Sequence, residues 1–210
     1  MRIAVLGSGA VGQTFAKGLE THDYDVRIAS RSPAKLAEFS NTTGISAVPF
    51  DAAASWCEGA VLAVRGSMAE EAVREAGPEN LAGKLVIDVI VPLALRAGFF
   101  ELVPVPGAAS VGELIQWRVP NARVVSAFKN LSAEKLRDLG TRLAGDVVLC
   151  GDDAAARDEV AGLVRLLPGL RPVDAGGIAN ARYVEAITAL LLNLNRRHAA
   201  QTSIAILGLD

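Results

Sequence analysis

The sequence predicts an α/β fold: a doubly wound, mainly parallel sheet, with a short C-terminal α/β extension that ends in a long helix. Three observations carry this. Short apolar runs alternate with amphipathic stretches from the first residue onward. Of the 210 residues 51% are hydrophobic but only 5% aromatic, which suits aliphatic strands buried on both faces. The first apolar run ends in three closely spaced glycines, Gly7, Gly9 and Gly12.

Residues 3–6 read as a buried strand and 14–20 as a helix, with Phe15, Ala16 and Leu19 at helical spacing. Residues 25–29 form a second strand, after which Ser32 and Pro33 supply an N-cap and a first-turn proline for a helix through Phe39. A strand at 45–48 precedes a small alanine-rich helix that Asp51 can cap. Strands at 59–64 and 85–89 flank a surface helix at 68–76. Residues 91–112 hold Pro92, Pro104, Pro106 and three glycines and read as a long loop, a kind of segment that tends to carry function. Strands at 122–127, 146–149 and 170–173, with helices at 152–167 and 179–200, complete the chain.

Composition removes several classes of function. Lys plus Arg number 21 and Asp plus Glu 23, a net charge of −2 with a pI near 5.8, so no basic field exists to attract nucleic acid. Mean hydropathy is +0.33, yet no uncharged apolar run approaches the ~20 residues of a spanning helix. No membrane partner is therefore expected. Cys57 and Cys150 lie far apart, with neither a disulfide framework nor metal-ligand spacing, so no metal site is expected and a cytoplasmic location is. The apolar start breaks at Gly7, too early for a signal peptide.

Gly7-Ser8-Gly9-Ala10-Val11-Gly12 fits G-x-G-x-x-G directly after a strand and at the opening of a helix, the Rossmann-type dinucleotide fingerprint. Gly7 permits the tight turn, Gly9 the approach of a pyrophosphate, and Gly12 close helix–strand packing. At the end of the second strand, NAD-binding versions place an acid on the ribose 2′-hydroxyl. Here the chain reads Ile28-Ala29-Ser30-Arg31-Ser32. Ser30 can donate to a 2′-phosphate, Arg31 can pair with it, and Lys35 adds a second cation, so NADP is expected. The alternative is that Arg31 and Lys35 are ordinary solvated charges.

Acid–base candidates are few. His22 falls in the turn after the first helix, and His198 reads as a cation at a helix C-terminus. Asp88, within an apolar strand, reads as a hydrogen-bonded structural carboxylate, with catalysis as the alternative. The loops after the strands carry few titratable groups. No catalytic residue is assigned, and the hydride partner is expected to be a flavin-like ring whose own electronics carry the reaction.

Beyond the opening strand and loop, Ser30-Arg31, Val124 to Phe128, Cys150 to Asp153, Gly169 to Gly176, Asn180 to Arg182 and Val184-Glu185 make the chain resemble the small F420H2:NADP oxidoreductases. The resemblance implies hydride transfer between NADP(H) and coenzyme F420 and a homodimer. It places Ser8, Gly9, Ala10 and Val11 on the phosphates, Ser30, Arg31 and Lys35 on the 2′-phosphate, Val64 and Met68 on the adenosine and ribose side, and Val91 and Ala127 near the nicotinamide. Pro92, Phe128, Gly176, Gly177 and Ile178 are the acceptor-side candidates. A single domain is expected over 1–210: a nucleotide-binding part over about 1–128, and a part over about 129–210 that completes the sheet and acceptor pocket. Arg65-Gly66 and Val91-Pro92 depart from the family's Pro and Asn-Pro. Arg65 faces a ribose or phosphate, the anionic tail of the deazaflavin, or solvent. Two other readings stand beside this one: an NADPH-dependent reductase of a flavin, ferric complex or imine, and a non-catalytic NADP-sensing module.

Overall fold

The structure is a computed structural model that describes residues 1–131 and 144–209. Positions 132–143 of the expected C-terminal part, and residue 210, lie outside the described residues. The strands are β1 (Arg2–Leu6), β2 (Asp25–Ala29), β3 (Ser46–Val48), β4 (Gly59–Leu62), β5 (Leu85–Asp88), β6 (Leu93–Arg96), β7 (Phe99–Leu102), β8 (Arg123–Ser126), β9 (Gly145–Leu149) and β10 (Leu170–Asp174). The main sheet runs β3-β2-β1-β4-β5-β8, all parallel. β9 and β10 pair in parallel, and β9 joins the main sheet through an antiparallel bridge between Ser126 and Cys150.

Both faces of the sheet are buried, and this explains the unbroken aliphatic runs. Along β1, Ala4 and Leu6 enter one core while Ile3 and Val5 enter the other. Helices α1 (Ala10–Glu20) and α2 (Ala37–Thr43) cover the second face. Helices α3 (Phe50–Trp56), α4 (Ala69–Ala76), α5 (Pro78–Leu81) and α6 (Val111–Arg118) cover the first. α7 (Ala154–Arg165) returns to the second face, and α8 (Ala181–His198) contributes Ala181 and Val184 to the first.

Two elements correct the sequence reading. The segment 91–112 contains the antiparallel hairpin β6–β7, with Leu93 opposite Leu102, and the amide of Asn193 on α8 bonds both the N–H (2.8 Å) and the C=O (2.9 Å) of Phe100. Helix α6 begins at Val111, where Ser110 caps it by accepting from the Glu113 N–H, and five of its residues in succession are buried. A helix enclosed in this way shows no amphipathic stripe.

The strand order reverses between β1 and β4, opening the crevice at the carboxyl edge where ligands of doubly wound sheets bind. Leu62, Asp88 and Ser126 stand side by side along this edge, at the ends of β4, β5 and β8.

Candidate functional site

β1 enters the glycine loop with no room for a side chain. Gly7 adopts φ +129°, and a Cβ there would lie 2.3 Å from the Ala63 carbonyl oxygen, while one on Gly12 would lie 2.0 Å from the Gly7 oxygen. These two glycines let α1 pack directly on the sheet. Gly9 differs, since nothing lies within 4 Å of a Cβ built on it. It is the N-cap of α1, no side chain caps that helix, and its first turn holds no acidic residue. The amides of Ala10, Val11 and Gly12 lack intrahelical acceptors, and the helix dipole adds positive potential where they point.

A groove of about 540 Å³ opens over this loop. Gly7, Ser8 and Gly9 line it from the loop, Ser30, Arg31 and Lys35 from beyond β2, and Val64, Arg65 and Met68 from the turn after β4. The Ser30 hydroxyl accepts from Ser8 Oγ (3.2 Å) and from the Ser32 N–H (3.1 Å), which leaves its own hydrogen to donate. Arg31 is largely exposed and lies 3.9 Å from Glu71 on α4, which also lines the groove. Among the described residues Lys35 and Arg65 form no ion pair. Nine of the residues picked out for nucleotide binding thus surround one crevice. The arrangement fits NADP: an open helix terminus for the pyrophosphate, and a hydroxyl with two cations beyond β2, whose own end supplies no acid for a ribose 2′-hydroxyl.

The acceptor-side candidates, and Val91 and Ala127 expected near the nicotinamide, do not gather into such a crevice. Phe128 has φ +58°, and its ring lies in the core, edge-on to Phe15 at 5.3 Å between centroids. Ile178 is buried in the other core beside Gly112. Pro92 is buried against Gly66, and Ala127 is enclosed with its N–H on the Asp88 carbonyl. Val91, Gly176 and Gly177 remain partly exposed.

The titratable groups of this edge are a further correction. Lys129, three residues beyond the end of β8, has a fully buried side chain. Its ammonium donates to the Ile90 carbonyl (2.6 Å) and to Glu185 Oε1 (2.8 Å), and lies 2.6 Å from Asp88 Oδ2. Asp88 is the hydrogen-bonded carboxylate expected of it, accepting from Ser126 Oγ (2.7 Å) and the Ile90 N–H (2.9 Å). Glu185 Oε1 also accepts from the Val111 N–H (3.0 Å), and Thr188 Oγ1 donates to the Lys129 carbonyl (3.0 Å). Burial pulls the Lys129 ammonium downward, but Asp88 and Glu185 more than reverse this and hold it above its ordinary value. Burial raises the Glu185 carboxyl, and Lys129 only partly offsets it. The sequence signal for this cluster was faint: a lysine placed directly after the apolar run 124–128.

The C-terminal residues behind the family resemblance serve as turn fasteners. Asp152 Oδ1 accepts from the Ile178 N–H (2.9 Å), Asp153 caps α7 through the Ala156 N–H (2.8 Å), and Asp174 Oδ1 accepts from the Gly176 N–H (2.7 Å). Cys150 is an enclosed thiol, pushed up to about 11 by burial, and so is unreactive. His22 sits in the α1–β2 turn, away from the carboxyl edge, and His198 ends α8.

Sheet order, glycine loop and groove together define a Rossmann-type dinucleotide-binding protein. The chain belongs to the F420-dependent NADP reductase family. Residues 2–92 match the family described as NADP oxidoreductase, coenzyme F420-dependent. The F420-dependent NADP reductase of Methanothermobacter marburgensis is 31% identical over 93% of this chain and 92% of its own length. That of Methanocaldococcus jannaschii is 36% identical over 63% of this chain, a match spanning 60% of that relative. A crystal structure of an inferred F420-dependent NADP reductase from Arthrobacter sp. FB24 superposes with a TM-score of 0.90 at 32% identity, covering all of both chains.

Proposed function

We propose that this protein moves hydride reversibly between NADP(H) and coenzyme F420, as the names of its relatives state for them. The observation that carries the cofactor assignment is the open N-terminus of α1 beside Ser30, Arg31 and Lys35. When bound, the two rings supply the hydride chemistry between themselves. The chain's part is placement. The α1 amides and Ser8 hold the pyrophosphate, Ser30 donates to the 2′-phosphate, and Arg31 and Lys35 balance its charge. Val64 and Met68 pack on the adenosine side, and the turn after β5, with Val91 and Pro92, bounds the nicotinamide end. Gly176 and Gly177 are left as the acceptor-side contacts, and Ala127 contributes backbone only. Holding two rings in a reactive geometry is itself worth several orders of magnitude in rate.

A single domain over 1–210, a homodimer and a cytoplasmic location belong to the same proposal. The exposed Tyr183 and Leu190 on α8 support a contact between copies, and the unpaired, buried Cys57 and Cys150 support a reducing compartment. The test is to mix the protein with NADPH and oxidised F420 and follow the deazaflavin absorbance band. Bleaching at a rate proportional to protein is expected. No bleaching, with turnover of free flavin or a ferric complex instead, would replace the acceptor and keep NADP.

A further inference from the structure

The Asp88–Lys129–Glu185 cluster has no part in binding phosphates, yet it is tied to the wall of the groove. Both backbone polar groups of Ile90 end on it: the N–H donates to Asp88 Oδ1 (2.9 Å) and the C=O accepts from Lys129 Nζ (2.6 Å). Two residues on, Pro92 lies against Gly66, where a Cβ would come within 2.7 Å of the Pro92 Cα. Gly66 opens the 3-10 turn Gly66–Met68, and that turn carries Met68 into the groove beside Arg65. The Pro92 carbonyl accepts from the Val103 N–H (2.7 Å), so the same turn also fixes the far end of the β6–β7 hairpin.

The side chains of this chain of contacts have no slack. Lys129 has three donors, and Ile90, Glu185 and Asp88 account for all three. Its backbone is fastened in turn by Thr188 from α8. One ammonium thereby joins β5, the residues after β8, the start of α6 through Val111, and α8. Apolar packing would hold these segments together without dictating where the Ile90 peptide lies; directional bonds from a buried cation dictate it.

We infer that Lys129 is a positioning residue for hydride transfer: by fixing the Ile90 peptide it sets the turn Ile90–Val91–Pro92, and through Gly66 the inner wall of the nucleotide groove. This rests on the hydride-transfer reading above for its kinetic consequence, but not for its structural one.

Lys129→Met with Glu185→Gln removes the ammonium and one carboxylate together, leaving Asp88 with Ser126 and the Ile90 N–H. The reference is Glu185→Gln alone, which retains Lys129 and both acceptor bonds at Oε1. Against that reference, amide hydrogen exchange of the double variant is expected to quicken at Ile90 and Val103 while β1 and β2 exchange as before. NADPH affinity, read by nicotinamide fluorescence without acceptor, is expected to weaken less than kcat, which with F420 should fall by roughly 10²-fold. Unchanged exchange at Ile90 and Val103, equal quickening across the whole sheet, or a retained kcat overturns the inference. If the double variant does not fold, Thr188→Val keeps all three charges and loosens only the Lys129 backbone; the same local quickening supports the inference, and its absence overturns it. Should the parent protein fail to reduce F420, the acceptor assignment falls, while the exchange comparison still decides the role of Lys129 in setting the turn.

Discussion

At β1 and β2 the carboxyl edge of the sheet is wet. Arg31 is 61% exposed at its side chain, Lys35 and Arg65 stand without ion-pair partners among the described residues, and the α1 amides await an acceptor. At β5 and β8 the same edge is dry. Lys129 and Asp88 have no exposed side-chain surface, and each of their polar groups is taken up by the protein itself. The first region is arranged to complete its bonds with a ligand, and salt screens it; the second completes its bonds within the chain, and salt hardly reaches it. Recognition and geometry are thus assigned to different ends of one edge.

The contrast breaks most visibly at Lys129. Lys129→Met alone strands two buried carboxylates, and denaturant unfolding is expected to show a loss of about 3–5 kcal/mol. A loss no larger than that of a surface substitution would mean the cluster is hydrated after all. Next comes Gly12→Ala, whose added Cβ meets the Gly7 oxygen at 2.0 Å. Forcing α1 off the sheet should cost about 1–3 kcal/mol and weaken NADPH together with stability. Gly9→Ala meets open space, so its loss should appear in NADPH affinity with about 1 kcal/mol or less in stability.

Arg31→Ala probes the wet end. NADPH affinity should fall roughly tenfold with NADH little changed, and the difference should shrink as salt rises. Equal losses for both nucleotides would remove Arg31 from the 2′-phosphate. The smallest effect is a pH dependence at Glu185. Its folded carboxyl is raised by burial, so the stability it contributes is fully present below the ordinary glutamate range and is lost as pH rises through the raised value. Glu185→Gln does not titrate, and its denaturation midpoint should gain on that of the parent protein as pH rises above the ordinary glutamate range. A constant difference would show that Glu185 keeps its ordinary ionisation.

What the sequence disclosed follows the same division. The nucleotide groove is built from short contiguous stretches, Gly7 to Gly12 and Ser30 to Lys35, whose spacing alone reveals backbone amides and cations at a helix start. Parallel strands with both faces buried, such as β4 and β5, announce themselves as aliphatic runs. The cluster joins residues as far apart as Lys129 and Glu185, 56 positions in sequence, and no local pattern encodes that meeting. Helix α6 was hidden because burial on nearly every side erases its periodicity, and β6–β7 because prolines and glycines surround two four-residue strands. The inward turn of Phe128 is likewise invisible in the sequence, because it depends on a left-handed backbone at a non-glycine residue.

The sharing of one ammonium by two acids also bears on how such a protein can change over generations. Ser30, Arg31 and Lys35 line the groove as separate side chains, so a substitution at one leaves the others in place. Lys129 is different, because replacing it alone leaves the buried carboxylates of Asp88 and Glu185 without their cation.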